Sequence, residues 1–278
     1  SFIYSFKSKI KLPLMFDWRD VDKNEYYYYT GKRIASGNYV SPVVNQHAAS
    51  WCGCCYMIST LQMIQDRAHV LLGTKNPEIP MKPWIEFNIQ TMLNSYNKYK
   101  SPHTSGWNAC KGGHPLSVLY AIESENCPIV NNNRKYRGYP EPNSPEKTNT
   151  YISLKNSKRV KSNTVSQVKK NILEKGPLVL YISGELLKDV DEYGIVKSNY
   201  ILKETHAVTV VGWTLRNGKE CWIVRNSWGS QYVPESIPED MNCVSVGENN
   251  CIVKWKKWKG DPQSPGFVLL PTDFNNQV

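Results

Sequence analysis

The chain has 278 residues, 40% of them apolar and 12% aromatic, which is enough for one large or two small domains with a proper core and too apolar for wholesale disorder. Lys and Arg number 34 against 24 Asp and Glu, a formal net charge of +10 that favours anionic partners and says nothing about fold. The apolar runs are too short for a membrane span, and the stretch from Ser1 to Lys11 carries three lysines without the apolar segment of a signal peptide.

Residues 53–72 predict a helix. Met57, Ile58, Leu61, Ile64, Ala68 and Leu71 recur at helical spacing, and Gly73 suits a C-terminal cap. Residues 74–110 hold many Pro, Asn, Ser and Lys with shorter helical hints, and a short apolar segment runs from Leu116 to Ile122. Residues 131–163, with Pro140, Pro142 and Pro145 close together, predict a long surface connection and the boundary between two halves. Beyond it, Val165, Val168 and Ile172 predict a short helix stopped by Gly176-Pro177. Strands are expected from Leu178 to Ser183, from His206 to Trp213, from Cys221 to Arg225 and from Ile252 to Trp258. Asn217-Gly218 is a strong hairpin turn between the second and third of these. A helix-rich half (about 45–130) followed by a strand-rich half (about 164–270) is an α+β pattern, with a cleft expected between the halves.

Three of the eight cysteines crowd together as Cys52, Cys54 and Cys55. Cys-x-Cys-Cys can hold a soft metal, but no second pair at ligand spacing follows, so structural zinc ranks below a nucleophile. Cys55 falls at the start of the predicted helix, where the dipole and unpaired N–H groups favour a thiolate. A nucleophilic thiolate needs an oriented base. His206 and Asn226 lie at the far end of the predicted hairpin, where an Asn carbonyl can fix the imidazole, although the register is open at this level. Gln46, nine residues before Cys55, can donate to a developing oxyanion together with the Cys55 N–H. Trp228 can shield the His–Asn bond from water. A buried structural role for Cys55, or Cys52 as the nucleophile, are the competing readings.

These residues carry a family resemblance. Residues 45–56 (NQHAASWCGCCY), 205–208 (THAV), 221–229 (CWIVRNSWG) and 110–113 (CKGG) resemble, in order, the cysteine, histidine, asparagine and cleft-wall segments of papain-like cysteine peptidases. The resemblance runs from Leu12 to about Gly260. It implies a two-domain papain-like α+β fold over 12–278 behind an N-terminal extension at 1–11. It also implies catalysis by Cys55, His206, Asn226 and Gln46 on peptide substrates, with Gly112 and Gly113 lining the cleft and no cofactor or metal. A Cys52–Cys110 disulfide comes with it; Cys243–Cys251 is a second guess that the resemblance does not supply. The resemblance also implies a propeptide or cystatin-like inhibitor as partners and a lysosomal, endosomal or secreted location. Within the family the chain resembles the cathepsin X type of carboxypeptidase. Like that type it has three extra residues between Gln46 and the cysteine motif, and His47 stands where a substrate's terminal carboxylate would be bound, with a charged imidazole expected below pH about 6.5. Tyr56 replaces the usual Trp, Cys54 a Ser and Ala49 a loop Pro.

Two lysine-rich stretches invite a second reading. Residues 254–259 (KWKKWK) interleave base and aromatic in the manner of nucleic-acid contacts. The cluster Lys155, Lys158, Arg159, Lys161, Lys169 and Lys170 reads as a solvated surface. Either can hold a polyanion weakly with steep salt dependence. The remaining rival is a catalytically silent papain-like binding protein.

Overall fold

The structure, a computed structural model, describes residues 11–47, 51–80, 86–100, 108–124, 134–141, 154, 164–197, 203–230, 232–234 and 255–274. The second disulfide guess, Cys243–Cys251, lies outside them, as do residues 1–10 and 155–161. Strand β1 (Phe16–Asp17) and helix α1 (Lys23–Thr30) precede the long helix α2 (Cys55–Lys75). Helices α3 (Ile89–Lys100), α4 (Pro115–Glu123) and α5 (Val165–Lys175) follow. Strands β2 (Leu178–Ile182), β3 (His206–Arg216), β4 (Lys219–Arg225), β5 (Tyr232–Pro234), β6 (Trp255–Lys257) and β7 (Phe267–Pro271) complete the chain.

The main sheet runs β1-β3-β4-β7, with β2 also paired to β3, and every pairing is antiparallel. Asn217 and Gly218 both take positive φ (50° and 73°), the backbone of a tight two-residue turn whose twist matches the strands it joins. Both faces of the sheet are covered. Val208, Val210, Trp213, Trp222, Val224, Val268 and Leu270 enter one core, while Val211, Cys221, Ile223, Leu269 and Phe267 enter another. Such double burial explains why β3 and β4 read as near-continuous apolar runs rather than alternating ones.

A separate core surrounds α2, built from Tyr56, Met57, Ile58, Leu61, Met92, Leu93, Tyr96, Val118, Ala121 and Ile122. Helix α2 packs on α4 and α3 on one side and on β3 on the other. It is therefore the element shared by the two halves, and its buried residues lie all round it. The expected cap at Gly73 is not there. Gly73 is inside the helix, and a Cβ at that position would lie 2.5 Å from the ring of Tyr39, so the glycine makes room for that ring. The helix ends instead at Asn76, whose N–H bonds the Leu72 carbonyl.

Two other expectations change. Within the connection at 131–163, residues 134–141 return to the helical half, where Tyr136 packs against its core. Lys169 is not a solvated lysine. It is buried, ion-paired with Glu220 and poised 5.4 Å over the Trp213 ring. Trp258 is likewise buried, donating its indole N–H to the Leu187 carbonyl at 2.9 Å, which removes one of the two aromatics from the expected nucleic-acid surface.

Candidate active site

The site is assembled where α2, the β3–β4 hairpin and the segment leading to Gln46 converge. Cys55 is the first residue of α2, as its position in the sequence implies, and Cys54 precedes it as N-cap without a side-chain cap bond. Cys52 is bonded to Cys110, which ties the start of α2 to the 3-10 turn Ala109–Lys111. That bond also removes one sulfur from any Cys-x-Cys-Cys metal site.

His206 opens β3 and Asn226 follows the last residue of β4. The pairing Thr209↔Arg225 brings both to the same end of the hairpin. The His206 Nε2 to Asn226 Oδ1 distance is 2.7 Å. An amide oxygen only accepts, so Nε2 carries the proton and Nδ1 is the basic nitrogen. The same Oδ1 accepts from the Ser227 N–H at 2.8 Å, which fixes the amide's orientation. Trp228 stacks on the imidazole, with centroids 4.6 Å apart and planes 26° apart, and Trp258 backs it edge-on at 6.0 Å. The expected water shield is therefore two indoles deep. The 3-10 turn Gly184–Lys188 packs against both rings: a Cβ on Gly184 would meet the His206 side chain at 3.2 Å and Trp228 at 3.5 Å.

Burial sets the charge state. It pushes the Cys55 thiol up to about 11, against the pull of the Ala207, Tyr56 and Cys55 backbone N–H groups. Burial also brings His206 down to about 4, only partly offset by Asn226. Burial thus works against charge on both members of the thiolate–imidazolium pair that the helix start favours. Desolvation opposes the helix dipole here because it penalises both members of an ion pair.

Gln46 is held at every end. Its N–H bonds the Ser227 carbonyl at 2.8 Å, its side-chain amide donates to the Cys52 carbonyl at 2.9 Å, and its Oε1 accepts from the Ser227 hydroxyl at 2.7 Å. The amide has two N–H donors, and the Cys52 carbonyl uses one. Isolated bridging of Asn45 with Trp228 joins this segment to the chain beyond Asn226. Ser227 was not among the expected site residues. Its signal is only its place beside Asn226, and its partner is 181 residues away in sequence.

His47 is buried, and its Nδ1 accepts from the Cys52 N–H at 3.1 Å, so its proton sits on Nε2. It stacks on Trp51 at 5.8 Å. Burial, with His206 nearby, lowers it to about 3, so the imidazole is neutral at pH 5, contrary to the charged state expected below pH 6.5.

The glycines of the cleft wall differ. Gly112 has φ 98° with nothing within 4 Å of a Cβ. At Gly113 a Cβ would lie 2.6 Å from the Tyr56 ring, so the bare backbone lies directly on Tyr56. Tyr56, in turn, donates to the Ala109 carbonyl at 2.9 Å. Two tyrosines that composition alone does not single out also reach the site. Tyr136 donates to the Gln46 carbonyl at 2.6 Å and sits 3.2 Å from the Cys54 sulfur, which marks Cys54 as a buried packing thiol. Tyr181 stands on β2 opposite Ala207, and its hydroxyl reaches the Gly113 carbonyl at 3.4 Å. Together these groups form a sulfur, a base oriented by an amide, and a constrained amide donor, which is a set suited to acyl transfer.

Residues 12–237 match the family described as papain family cysteine protease. The chain is 25% identical over 251 residues to human cathepsin O, covering 87% of this chain and 64% of that protein. It is 27% identical over 209 residues to pro-cathepsin H of Mus musculus, covering 70% and 55%. The chain therefore spans less than two thirds of the length of either relative. Among solved structures, the bromelain protease from Ananas comosus, in complex with the E64 inhibitor, superposes with a TM-score of 0.55 at 19% identity, covering 95% of this chain and 92% of that one. The ragweed pollen allergen Amb a 11 in its proform superposes with a TM-score of 0.60 at 17% identity, covering 100% and 66%. At such identities the superpositions speak for fold, and the fold is the papain-like α+β fold. With the family match spanning most of its length, the chain belongs to the papain family of cysteine proteases.

Proposed function

We propose that the protein is a cysteine peptidase in which Cys55 attacks the scissile carbonyl, with His206 as base, Asn226 orienting His206 and Gln46 holding the oxyanion. The observation that carries this reading is the 2.7 Å bond from His206 Nε2 to Asn226, which leaves Nδ1 as the basic nitrogen. In the neutral site the Cys55 proton moves to His206 Nδ1 as sulfur bonds to the carbonyl carbon. The carbonyl oxygen takes the negative charge and meets the second Gln46 N–H and the Cys55 N–H. His206 then gives its proton to the amine as the C–N bond breaks. Water attacks the thioester, its proton passes to His206, and the C–S bond breaks with return of that proton to sulfur.

The same reading extends to specificity. The enzyme is a carboxypeptidase of the cathepsin X type, and His47 binds the terminal carboxylate of its substrates. Support comes from the place of His47, directly after Gln46 and electrostatically coupled to His206. The test is one peptide with a free C-terminus against its amide, followed by mass spectrometry at pH 5 and pH 7. Single-residue trimming of the acid, with the amide cut at least about tenfold more slowly at both pH values, is expected for one charge-assisted bond. Internal cuts, or equal rates on acid and amide, remove the carboxypeptidase reading and leave an endopeptidase. The Cys52–Cys110 bond supports an oxidising compartment, lysosomal, endosomal or secreted. No helix among the described residues is long and apolar enough to cross a membrane.

A further inference from the structure

Residues 134–141 form neither helix nor strand, yet the amide side chains of α3 hold them in place. Gln90 Nε2 donates to the Tyr139 carbonyl at 2.9 Å, and Gln90 Oε1 accepts from the Arg137 N–H at 2.8 Å. Asn94 Oδ1 accepts from the Glu141 N–H at 2.8 Å, and Asn88, just before α3, donates to the Arg134 carbonyl at 2.6 Å. Gln90 and Asn94 are themselves buried. A connection pinned at both ends by buried amides is a fixed platform, and Tyr136 stands within it.

The Tyr136 hydroxyl donates to the Gln46 carbonyl at 2.6 Å and lies 3.2 Å from the Cys54 sulfur. A phenol has one proton and the carbonyl takes it, so the Cys54 thiol is the donor in the second contact. The chain of donors therefore runs from the N-cap of α2, one residue before Cys55, to the backbone of Gln46, 90 residues from Tyr136. Those two places supply the proposed oxyanion donors, the Cys55 N–H and the Gln46 amide. The other Gln46 bonds among the described residues go to Ser227 and Cys52, and Tyr136 is the tie to the α3 platform. The phenol is desolvated, so water does not stand in readily for either partner.

We propose that Tyr136 is a positioning residue for the oxyanion site: fixed by α3, its hydroxyl holds the Gln46 backbone in place against the start of α2, so that the Gln46 amide and the Cys55 N–H meet the same oxygen. The proposal rests on the peptidase reading, which supplies the oxyanion. Tyr136 touches neither substrate nor reacting atoms and acts through Gln46. An oxyanion donor works only within hydrogen-bond reach of the oxygen it stabilises, so a loosened Gln46 loses transition-state binding before it loses substrate binding.

The experiment compares the parent protein, Tyr136→Phe, Gln46→Ala and the double variant on one peptide with a free C-terminus, with products quantified by mass spectrometry. Tyr136→Phe keeps the ring and removes the donor. Its kcat is expected to fall about three- to tenfold with KM unchanged, the worth of one hydrogen bond. In the Gln46→Ala background the same change is expected to cost less than about twofold, because the amide it positions is gone. Thiol exchange of Cys55 with dipyridyl disulfide builds no oxyanion, and its rate in Tyr136→Phe is expected within about twofold of the parent. An unchanged kcat, a raised KM, or a loss above about twofold that persists without Gln46 overturns the proposal. So does a Tyr136→Phe protein that fails to fold or loses thiol exchange as well, because the tyrosine then only supports the fold. A parent protein that cleaves no peptide removes the peptidase reading and the proposal with it, whereas an active parent indifferent to Tyr136→Phe removes the proposal alone.

Discussion

Ser227 makes the site's least legible contribution at the scale of single residues. Its hydroxyl pins the Gln46 amide, its carbonyl accepts from the Gln46 N–H, and its own N–H steadies Asn226. One residue thus holds both the Gln46 amide, the proposed oxyanion donor, and the Asn226 amide that bonds His206. Ser227→Ala leaves the buried Gln46 oxygen unsatisfied and the amide free to turn, while its bond to the Cys52 carbonyl persists. We expect kcat to fall by about tenfold with KM unchanged, the worth of one hydrogen bond. Gln46→Ala, which deletes the donor, should cost about 100- to 1,000-fold. A raised KM with constant kcat in steady-state peptide hydrolysis would assign both residues to ground-state binding. The sequence carries Cys55, His206, Asn226 and Gln46 because their segments have recognisable neighbours. It does not carry the protonation state, which depends on how deeply the folded chain buries the pair.

Helix α2 and the β3–β4 hairpin do the positioning at the scale of elements, and a buried ion pair joins them. Arg225, the residue before Asn226, lies 2.9 Å from Asp66 on α2, with both side chains wholly excluded from solvent. The contact is close but poorly aligned for a hydrogen bond, and Arg225 donates instead to the Ser41 carbonyl at 2.9 Å. Ser41 in turn gives its N–H and hydroxyl to the other Asp66 oxygen. Three chain segments, those of Cys55, Asn226 and Gln46, are thereby pinned to one another. Asp66→Asn strands the guanidinium charge in the core and should cost about 3–5 kcal/mol in urea unfolding. Asp66→Leu combined with Arg225→Met should recover most of that loss, because the desolvation cost disappears with the charges. A single-variant cost below about 1 kcal/mol would mean that water reaches the pair. Periodicity finds α2 to within a few residues and the hairpin through Asn217-Gly218, since both are local. It misplaces the end of α2, because the ring that occupies the space at Gly73 comes from Tyr39, more than thirty residues earlier. It also misses β1, α1 and β7, two of them short and the last, Phe267–Pro271, paired to a strand over forty residues away.

For the whole molecule, the order of a helix-rich half and a strand-rich half is visible in the sequence because periodicity changes along the chain. How the halves meet is not visible. That meeting is made by long-range polar contacts: Gln46 with Ser227, Asp66 with Arg225, Thr209 with the Ser59 carbonyl, Tyr181 with Gly113. The cleft is thus a seam of fixed donors and acceptors, and its burial works against charge on both the thiol and the imidazole. The central claim of the proposed mechanism is that the Cys55 proton moves to His206 as base during attack. The most direct measurement is the rate at which a peptidyl epoxide alkylates the protein between pH 3.5 and pH 9, with the adduct located by mass spectrometry. His206 is lowered to about 4, so it is a neutral base above that pH and a protonated non-base below it. The account predicts one adduct, on Cys55, formed at a rate that is flat from about pH 5 to pH 8 and falls as the pH drops through about 4, with Cys54 untouched. An adduct on Cys54, or a rate that climbs about tenfold per pH unit toward the raised thiol value as an unassisted thiol requires, would contradict it.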